Sequence, residues 1–394
     1  VKTILQVFLD ARTGGPLVRS LAIADALQKE GWRSVVVMPC GGDFQKHLRE
    51  KGFSVYECML SGPRGLRHCA ANVLWVLRFP ANVVMLWRII RRESIAVVHL
   101  HGLMSMQGAV AARLCGCKIV WHLSSSLFPR RLTRAVMRLV LAWSDRIVII
   151  SDGIRDHHFD EDCHDKRVEL IQECVDTNVF RPDGALPEHV EQARRRLCIG
   201  PDDLVVGTVG NVNPVKDYET LVEAAYWVIR EFPRVRFLVL GALLGTQREY
   251  TARLKHRIRQ LGIGEAFRFV GTVNQAEIPI YLALMDVFVF TSKAEGGPRA
   301  TLEAMAMAKP VVSTRVGDVS CQIVHGQSGY IVNVGDYRSI AEYVVSLLRD
   351  PSKRAVMGAK ARERVEDRFG LSIAVEKHRC LYQSLLNCTQ DEGQ

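Results

Sequence analysis

No run of about 18 uncharged apolar residues occurs in this chain, so no helix is expected to span a bilayer. The chain enters a strand pattern at once, without the basic-then-apolar order of a secretory signal, and none is expected. Aromatic residues make up only 7% of the chain and do not interleave with the basic ones, which argues against a stacking platform for nucleic acid. The dinucleotide fingerprint G-x-G-x-x-G is missing after the first strand, and no short-period repeat is evident. The 11 cysteines are an odd number at irregular spacings, several inside apolar segments such as 114–117 and 55–59. That pattern fits reduced thiols in a cytosol better than a disulfide framework. Cys115 and Cys117 have no second Cys/His pair at finger-like spacing, so no zinc site is expected there.

What is present describes a soluble globular protein: 394 residues, 48% hydrophobic and 24% charged. That length exceeds one ordinary core and predicts two domains. The net charge of +10 leaves two readings open, an anionic partner or a soluble protein that is simply basic.

Along the first half, short apolar runs alternate with amphipathic helical patterns. Residues 1–9 read as a strand, followed by a loop with Gly14, Gly15 and Pro16, then a helix with Leu17, Leu21, Ala24 and Leu27 on one face. Residues 34–38 form the next strand, which makes a βαβ unit with the glycine turn at the carboxyl end of its first strand. Further strands are predicted at 53–58, 95–99, 118–122, 146–150 and 168–171, with His101 and His122 at or beyond strand tips. A helical region over 69–92 carries Pro80, and Ser151 suits an N-cap.

From 178 to about 203 the alternation breaks at Pro182, Gly184 and Pro187, predicting a linker that contains a charged helix around Glu188–Leu197 ending near Gly200. A second series begins at 204–209, with a glycine loop over 210–217, and continues through strands at 235–241, 267–271, 287–290, 311–312 and 329–332. The expected domains are 1–178, a linker 179–203, 204–370, and a C-terminal helix, 371–394, packing back on the first domain. The fold class is α/β, two doubly wound Rossmann-like domains with a ligand crevice between facing strand ends.

The densest chemistry lies at 291–314. Gly296 and Gly297 admit a ligand close to the backbone, Pro298 suits the first helical position, and the helix beginning near Arg299 turns its free N–H groups toward them. Glu295 and Glu303 frame the turn. A carboxylate near a helix N-terminus can be there only for the dipole, about 0.3–1 kcal/mol, so the pair alone does not decide. Lys216 and a helix N-terminus together suit a diphosphate, and a carboxylate suits vicinal sugar hydroxyls.

These residues resemble the retaining GT-B glycosyltransferases of family 4, the group 1 type, over nearly the whole chain. The resemblance rests on Gly14-Gly15, the 98–102 segment ending His101-Gly102, Ile149-Ile150-Ser151, Val175-Asp176 and Gly210 with Lys216. Its most specific part is Glu295-Gly296-Gly297-Pro298 and Glu303, the two glutamates separated by seven residues. It implies that Lys216 neutralises a donor diphosphate, Glu303 accepts from ribose hydroxyls, and Glu295 faces the donor sugar with the Gly296, Gly297, Pro298 and Arg299 backbone nearby. Gly14 and Gly15 would approach the phosphate, His122 would lie near the reacting centre, and His101 is a weaker acceptor-side candidate. Catalytic roles thus fall on His122, Lys216 and Glu295.

Two departures stand out. Asn211 occupies the place of the usual arginine, offering a hydrogen bond without charge or fork. Glu173-Cys174 replaces the usual Asn-Gly before Val175-Asp176. The implied activity is hexosyl transfer from a nucleotide sugar, UDP favoured over GDP, to a glycan or lipid-linked acceptor with retention, needing no cofactor or metal. No residue stands out as the carboxylate nucleophile of two-step retention, so the leaving diphosphate would take the acceptor proton. Asp160-Glu161-Asp162 reads as a solvated loop. Alternatives are a nucleotide-sugar 2-epimerase and a non-catalytic nucleotide-sugar binder.

Basic residues cluster at Arg88, Arg91 and Arg92, and at Arg130, Arg131, Arg134 and Arg138 interleaved with Leu127, Phe128, Leu132 and Leu139. They read either as ordinary solvated helix faces or as an amphipathic surface for anionic membrane. The expected location is cytoplasmic, with peripheral association at the inner membrane face as the second option, and no nucleic-acid partner.

Overall fold

A computed structural model of the chain describes residues 2–10, 15–41, 44–63, 69–125, 128–159 and 165–391. Gly14, Leu127 and the 160–162 loop lie outside the described residues. The chain forms two compact units: Val1–Glu173 with Leu371–Gln394, and Cys174–Gly370.

The first unit holds seven parallel strands: β1 (Lys2–Val7), β2 (Trp32–Pro39), β3 (Ser54–Cys58), β4 (Val97–His101), β5 (Lys118–Leu123), β6 (Arg146–Ile149) and β7 (Val168–Leu170), in the order β3-β2-β1-β4-β5-β6-β7. The strand period of two sends Leu5, Val37, Leu100 and Trp121 to one face, where helices Cys69–Arg92, Met106–Cys115 and Arg130–Trp143 cover them. Phe8, Val36 and Met38 go to the other face, under helices Gly15–Lys29 and Phe44–Glu50. The helix Leu371–Asp391 belongs to this unit; its Tyr382 packs on Trp32 and bonds His99.

Helix Cys69–Arg92 runs unbroken through Pro80. By length and composition it is the one described helix that could cross a membrane, and only 28% of its most apolar 18-residue stretch is buried. Its Val83, Leu86, Ile89 and Ile90 nevertheless pack into the first unit's core.

The second unit holds β8 (Leu204–Val209), β9 (Val235–Leu240), β10 (Phe267–Gly271), β11 (Val287–Phe290), β12 (Val311–Thr314) and β13 (Gly329–Val332), parallel and in the order β10-β9-β8-β11-β12-β13. Helices Tyr218–Glu231, Arg248–Gln260 and Tyr337–Arg349 cover one face. Helices Ile278–Leu284, Arg299–Ala306 and Pro351–Arg368 cover the other.

The expected linker, 179–203, is corrected. The helix expected there is present as Pro187–Arg196, but Phe180, Ala193 and Ile199 are buried in the second unit's core. Pro187 is a helix-starting proline rather than linker punctuation, and the unit begins at Cys174. Pro298, expected as the first helical residue, is instead the N-cap of Arg299–Ala306.

In each sheet the winding reverses once, between β1 and β4 and between β8 and β11. Loops leaving the carboxyl ends of those strands are where open α/β sheets gather ligands.

Candidate active site at the strand tips

In the second unit, the loop after β8 and the loop after β11 are stapled together. Lys293 N–H donates to Val215 O at 2.7 Å, Thr291 Oγ1 to Lys216 O at 2.9 Å, and Ser292 Oγ to Val215 O at 2.9 Å. Asn213 Oδ1 accepts from the N–H groups of Val215 and Lys216, capping the short turn that presents the lysine. Lys216 Nζ then reaches across to Glu295 Oε1 at 2.6 Å and lies 4.8 Å from the centre of the Phe290 ring. Ser292 Oγ lies 2.8 Å from the same Oε1, its one proton shared between that oxygen and Val215 O, so both contacts fall on one oxygen of Glu295.

Two more ion pairs flank this one. Arg299 Nε lies 2.9 Å from Glu303 Oε1, one helical turn away, with the N–H pointing off the hydrogen-bond line. Lys293 Nζ lies 2.9 Å from Asp217 Oδ1. Glu303 is buried, whereas the Lys216 and Glu295 side chains stay 24% and 18% exposed, so the latter pair is reachable from solvent. Gly296 and Gly297 are partly buried beside them, ahead of the N-terminus of Arg299–Ala306.

Glycine is required at two places that sequence reasoning missed. Gly317 adopts φ +50°, and a Cβ there would sit 2.7 Å from Glu295 O and 2.8 Å from Gly296 O. Gly241 adopts φ +146°, and a Cβ would fall 2.0 Å from Gly210 O. Both let neighbouring backbone press against the two site loops. The Asn211 departure has a structural account: its Oδ1 accepts from Ala242 N–H at 3.0 Å and ties the loop after β8 to the turn after β9.

The first unit's strand tips are organised differently. Gly15 opens the helix after β1 with free space around its Cα. Beneath it lies a stack of His99, His101 and His122 with His378 from the last helix, ring centres 4.5 Å apart for His99–His101 and 5.3 Å for His99–His122. Arg19 fixes the proton order, because a guanidinium only donates. Arg19 Nη1 donates to His122 Nε2 at 3.0 Å, so His122 carries its proton on Nδ1 and donates to His99 Nε2 at 3.2 Å. His99 in turn donates from Nδ1 to Tyr382 Oη at 2.5 Å. Arg19 is fully buried and also donates from Nη2 to Ile171 O and Gln172 O at 2.9 and 3.1 Å.

Burial holds all four imidazoles in the neutral form, with the neighbouring rings and Arg19 adding to it; His101 and His378 are pushed down to about 3. His122 is 3% exposed, with both nitrogens engaged. His101 is only partly buried, its Nε2 bonded to Gln6 Oε1 at 2.7 Å. Ligand atoms of His99, His101 and His122 lie within 4.8 Å of one another. The donor set does not suit a cation: the rings stack and a guanidinium already occupies His122 Nε2. Glu173, the second departure, places its carboxylate 3.8 Å from Arg19 Nε and supplies a buried countercharge. Arg19 was not legible as a functional or structural centre: on its helix it falls on the side away from Leu17 and Leu21, where sequence alone expects a solvated arginine.

The two units also match known sequence families. The profile described as "Glycosyl transferase 4-like domain" matches residues 14–172, and that described as "Glycosyl transferases group 1" matches residues 190–364. The chain belongs to the group 1 glycosyltransferases. It is similar to N-acetyl-alpha-D-glucosaminyl L-malate synthase of Bacillus anthracis, 23% identical over 367 residues, covering 88% of this chain and 93% of that protein. It is also similar to the capsular polysaccharide biosynthesis glycosyltransferase CapM of Staphylococcus aureus, 28% identical over 204 residues, about half of each chain (49% and 48%). Among solved structures, Anabaena HepE in complex with UDP and glucose superposes with a TM-score of 0.83 at 20% identity, covering 98% of this chain and 100% of that one. The fold is therefore GT-B, with two Rossmann-like domains.

Proposed function

We propose that the protein transfers a hexose-type sugar from a nucleoside-diphosphate sugar to a glycan or lipid-linked acceptor, with retained anomeric configuration. The donor is a UDP-sugar ahead of a GDP-sugar, in keeping with the UDP bound by HepE, and no metal ion takes part. The observation that carries this reading is the Lys216–Glu295 pair at the β8/β11 reversal, with Arg299–Glu303 beside it.

In this reading Lys216 exchanges its bond to Glu295 for the donor diphosphate and stabilises the charge that develops as it leaves. Glu295 Oε2, clear of the Lys216 and Ser292 bonds, accepts from a sugar hydroxyl. Arg299 holds the Glu303 carboxylate in place for ribose hydroxyls, and the Gly296–Gly297 backbone lets the sugar approach. Both glutamates face cations rather than standing free as nucleophiles, which favours same-face substitution over a covalent intermediate. On the acceptor side, His101 keeps a partly exposed edge, while His122 acts from behind it by fixing the stack.

A thermal-shift screen of nucleotide sugars, followed by product analysis by NMR with and without sugar acceptors, tests the proposal. An α-linked product from an α-linked donor is expected. Donor conversion to an epimer with no acceptor present would make the protein an epimerase. Donor binding without transfer to any acceptor would make it a binding protein.

A further inference from the structure

Three of the helices on the Leu100/Trp121 face of the first sheet share a property that the opposite layer lacks; the short helix Asp152–His158, which packs there through Ile154, does carry Asp152 and Asp156. Helices Cys69–Arg92, Met106–Cys115 and Arg130–Trp143 contain no Asp or Glu. Their only charges are arginines: Arg78, Arg88, Arg91 and Arg92 on the first, Arg113 on the second, and Arg130, Arg131, Arg134 and Arg138 on the third. The opposite layer is mixed, with Asp25 on Gly15–Lys29, Glu50 on Phe44–Glu50 and Glu376 on Leu371–Asp391.

The same three helices carry the unit's exposed apolar side chains. Apart from Met59, every exposed large hydrophobic described in the first unit lies on them, including Val76 (58%), Leu77 (71%), Leu114 (62%) and Leu132 and Leu139 (45% each). Such a collection on one face marks an interaction surface. Beside it, between β3 and Cys69–Arg92, runs a groove of about 610 Å³ floored by Cys58, Val84, Met85 and Ile89, with Arg88, Arg92 and the Arg49-paired Glu57 as its charged lining residues.

We propose that this three-helix layer is the docking surface of the protein on an anionic lipid bilayer. Charge complementarity selects that occupant. A second copy docking symmetrically would bring these arginines against their own copies, while the flanking carboxylates Glu57, Glu93 and Asp152 already pair with Arg49, Arg33 and Arg155. A nucleic-acid backbone would satisfy the arginines but leave Val76, Leu77 and Leu132 against phosphates. An anionic bilayer satisfies both: arginines meet headgroup phosphates while the leucines and valines enter the acyl boundary. Arg91 lies 6.0 Å from the centre of the half-exposed Trp87 ring, an amphipathic pair suited to the headgroup depth. The inference rests on exposure and charge alone, so it stands or falls separately from the proposed transfer reaction.

Sedimentation of the full chain with phosphatidylglycerol-containing vesicles and with pure phosphatidylcholine vesicles, at low and high salt, provides the test. Binding to the anionic vesicles is expected, reduced at high salt. The double variant Val76→Glu/Leu77→Glu and the double variant Arg134→Glu/Arg138→Glu are each expected to weaken it at least tenfold. Val356→Glu, which changes an equally exposed valine (58%) of the second unit, is the control and should bind like the parent. Circular dichroism melts check that each variant folds, and only folded variants are compared. No binding to anionic vesicles at low salt overturns the proposal, as does equal binding by the face variants and the control. So does a lipid-free, concentration-dependent self-association that the face variants abolish while vesicle binding persists.

Discussion

Both sheets reverse their winding beside their first strand, yet the two strand-tip regions spend their polar groups in opposite ways. In the first unit Arg19, His122, His99 and Tyr382 form a donor chain buried under the last helix, each link satisfied by another member. In the second, Lys216 and Glu295 pair across two loops and Arg299 pairs with Glu303 on the helix that follows, and the Lys216–Glu295 pair is partly open to solvent. A closed, buried network resists rearrangement, because each broken link leaves a buried polar group unpaired. An accessible ion pair costs little to open, about 0–1 kcal/mol, and either partner can be handed to a ligand. The first arrangement shapes a surface; the second can exchange partners with a substrate.

The sharpest way to break this contrast is Lys216→Ala. Turnover with the cognate donor should fall by roughly 10²–10³-fold, the usual cost of losing one charge-stabilising group at a leaving oxygen. Stability should change by less than about 1 kcal/mol, since the lost pair is partly exposed. Steady-state kinetics and urea titration read the two numbers separately. Turnover within threefold of the parent would remove Lys216 from the diphosphate site.

Arg19→Met should show the converse. It leaves His122 Nε2 and the carbonyls of Ile171 and Gln172 without their donor and Glu173 without its countercharge. Removing one member of such a buried set costs about 3–5 kcal/mol, to be read from the urea midpoint of the first unit's transition. A loss no larger than that of Lys216→Ala would mean that the histidine stack is not held by Arg19.

A smaller effect follows from pH. The folded stack stays neutral down to about pH 3 at His101 and His378, while unfolded histidines take up protons below about pH 6.5. The unfolded chain then binds more protons, so stability is constant above about pH 6.5 and falls as pH drops through that window. The slope is about 1.4 kcal/mol per pH unit for each histidine kept neutral. Urea unfolding at pH 7.5 and 5.5 measures it, and His378→Leu should flatten the dependence by one histidine's share. An unchanged slope in that variant would place the acid sensitivity elsewhere.

The strand-and-helix alternation and the glutamate pair were legible because they are local: periodicity, a glycine turn and a spacing of seven residues all lie within one short segment. What was not legible depended on distance along the chain. Arg19 meets Ile171, Gln172 and Glu173 where the segment after β7 reaches the first helix, and His99 meets Tyr382 only through the return of the last helix to the first unit. The supposed linker failed for a related reason. Its prolines and glycine punctuate turns, but Phe180 and Ile199 are apolar enough to bury, and burial decided the matter. Gly317 could not be tied to the site from sequence because it presses on Glu295 and Gly296 from the turn after the next strand.

The smallest expected effect concerns Asn211. Its Oδ1 bond to Ala242 N–H braces the loop that ends in Lys216, so the residue supports the lysine without supplying charge. Asn211→Ala removes one neutral, exposed hydrogen bond, worth about 0.5–1.5 kcal/mol, and donor affinity should weaken by no more than roughly tenfold with turnover little altered. Asn211→Arg restores a cation but loses the brace. If position 211 serves the diphosphate directly, the arginine variant should bind a nucleotide sugar more tightly than the parent. If it serves the loop, both variants should bind more weakly, by similar factors in a calorimetric titration. The second outcome is expected, because the asparagine already accepts a backbone bond in the fold and its loss is common to both substitutions.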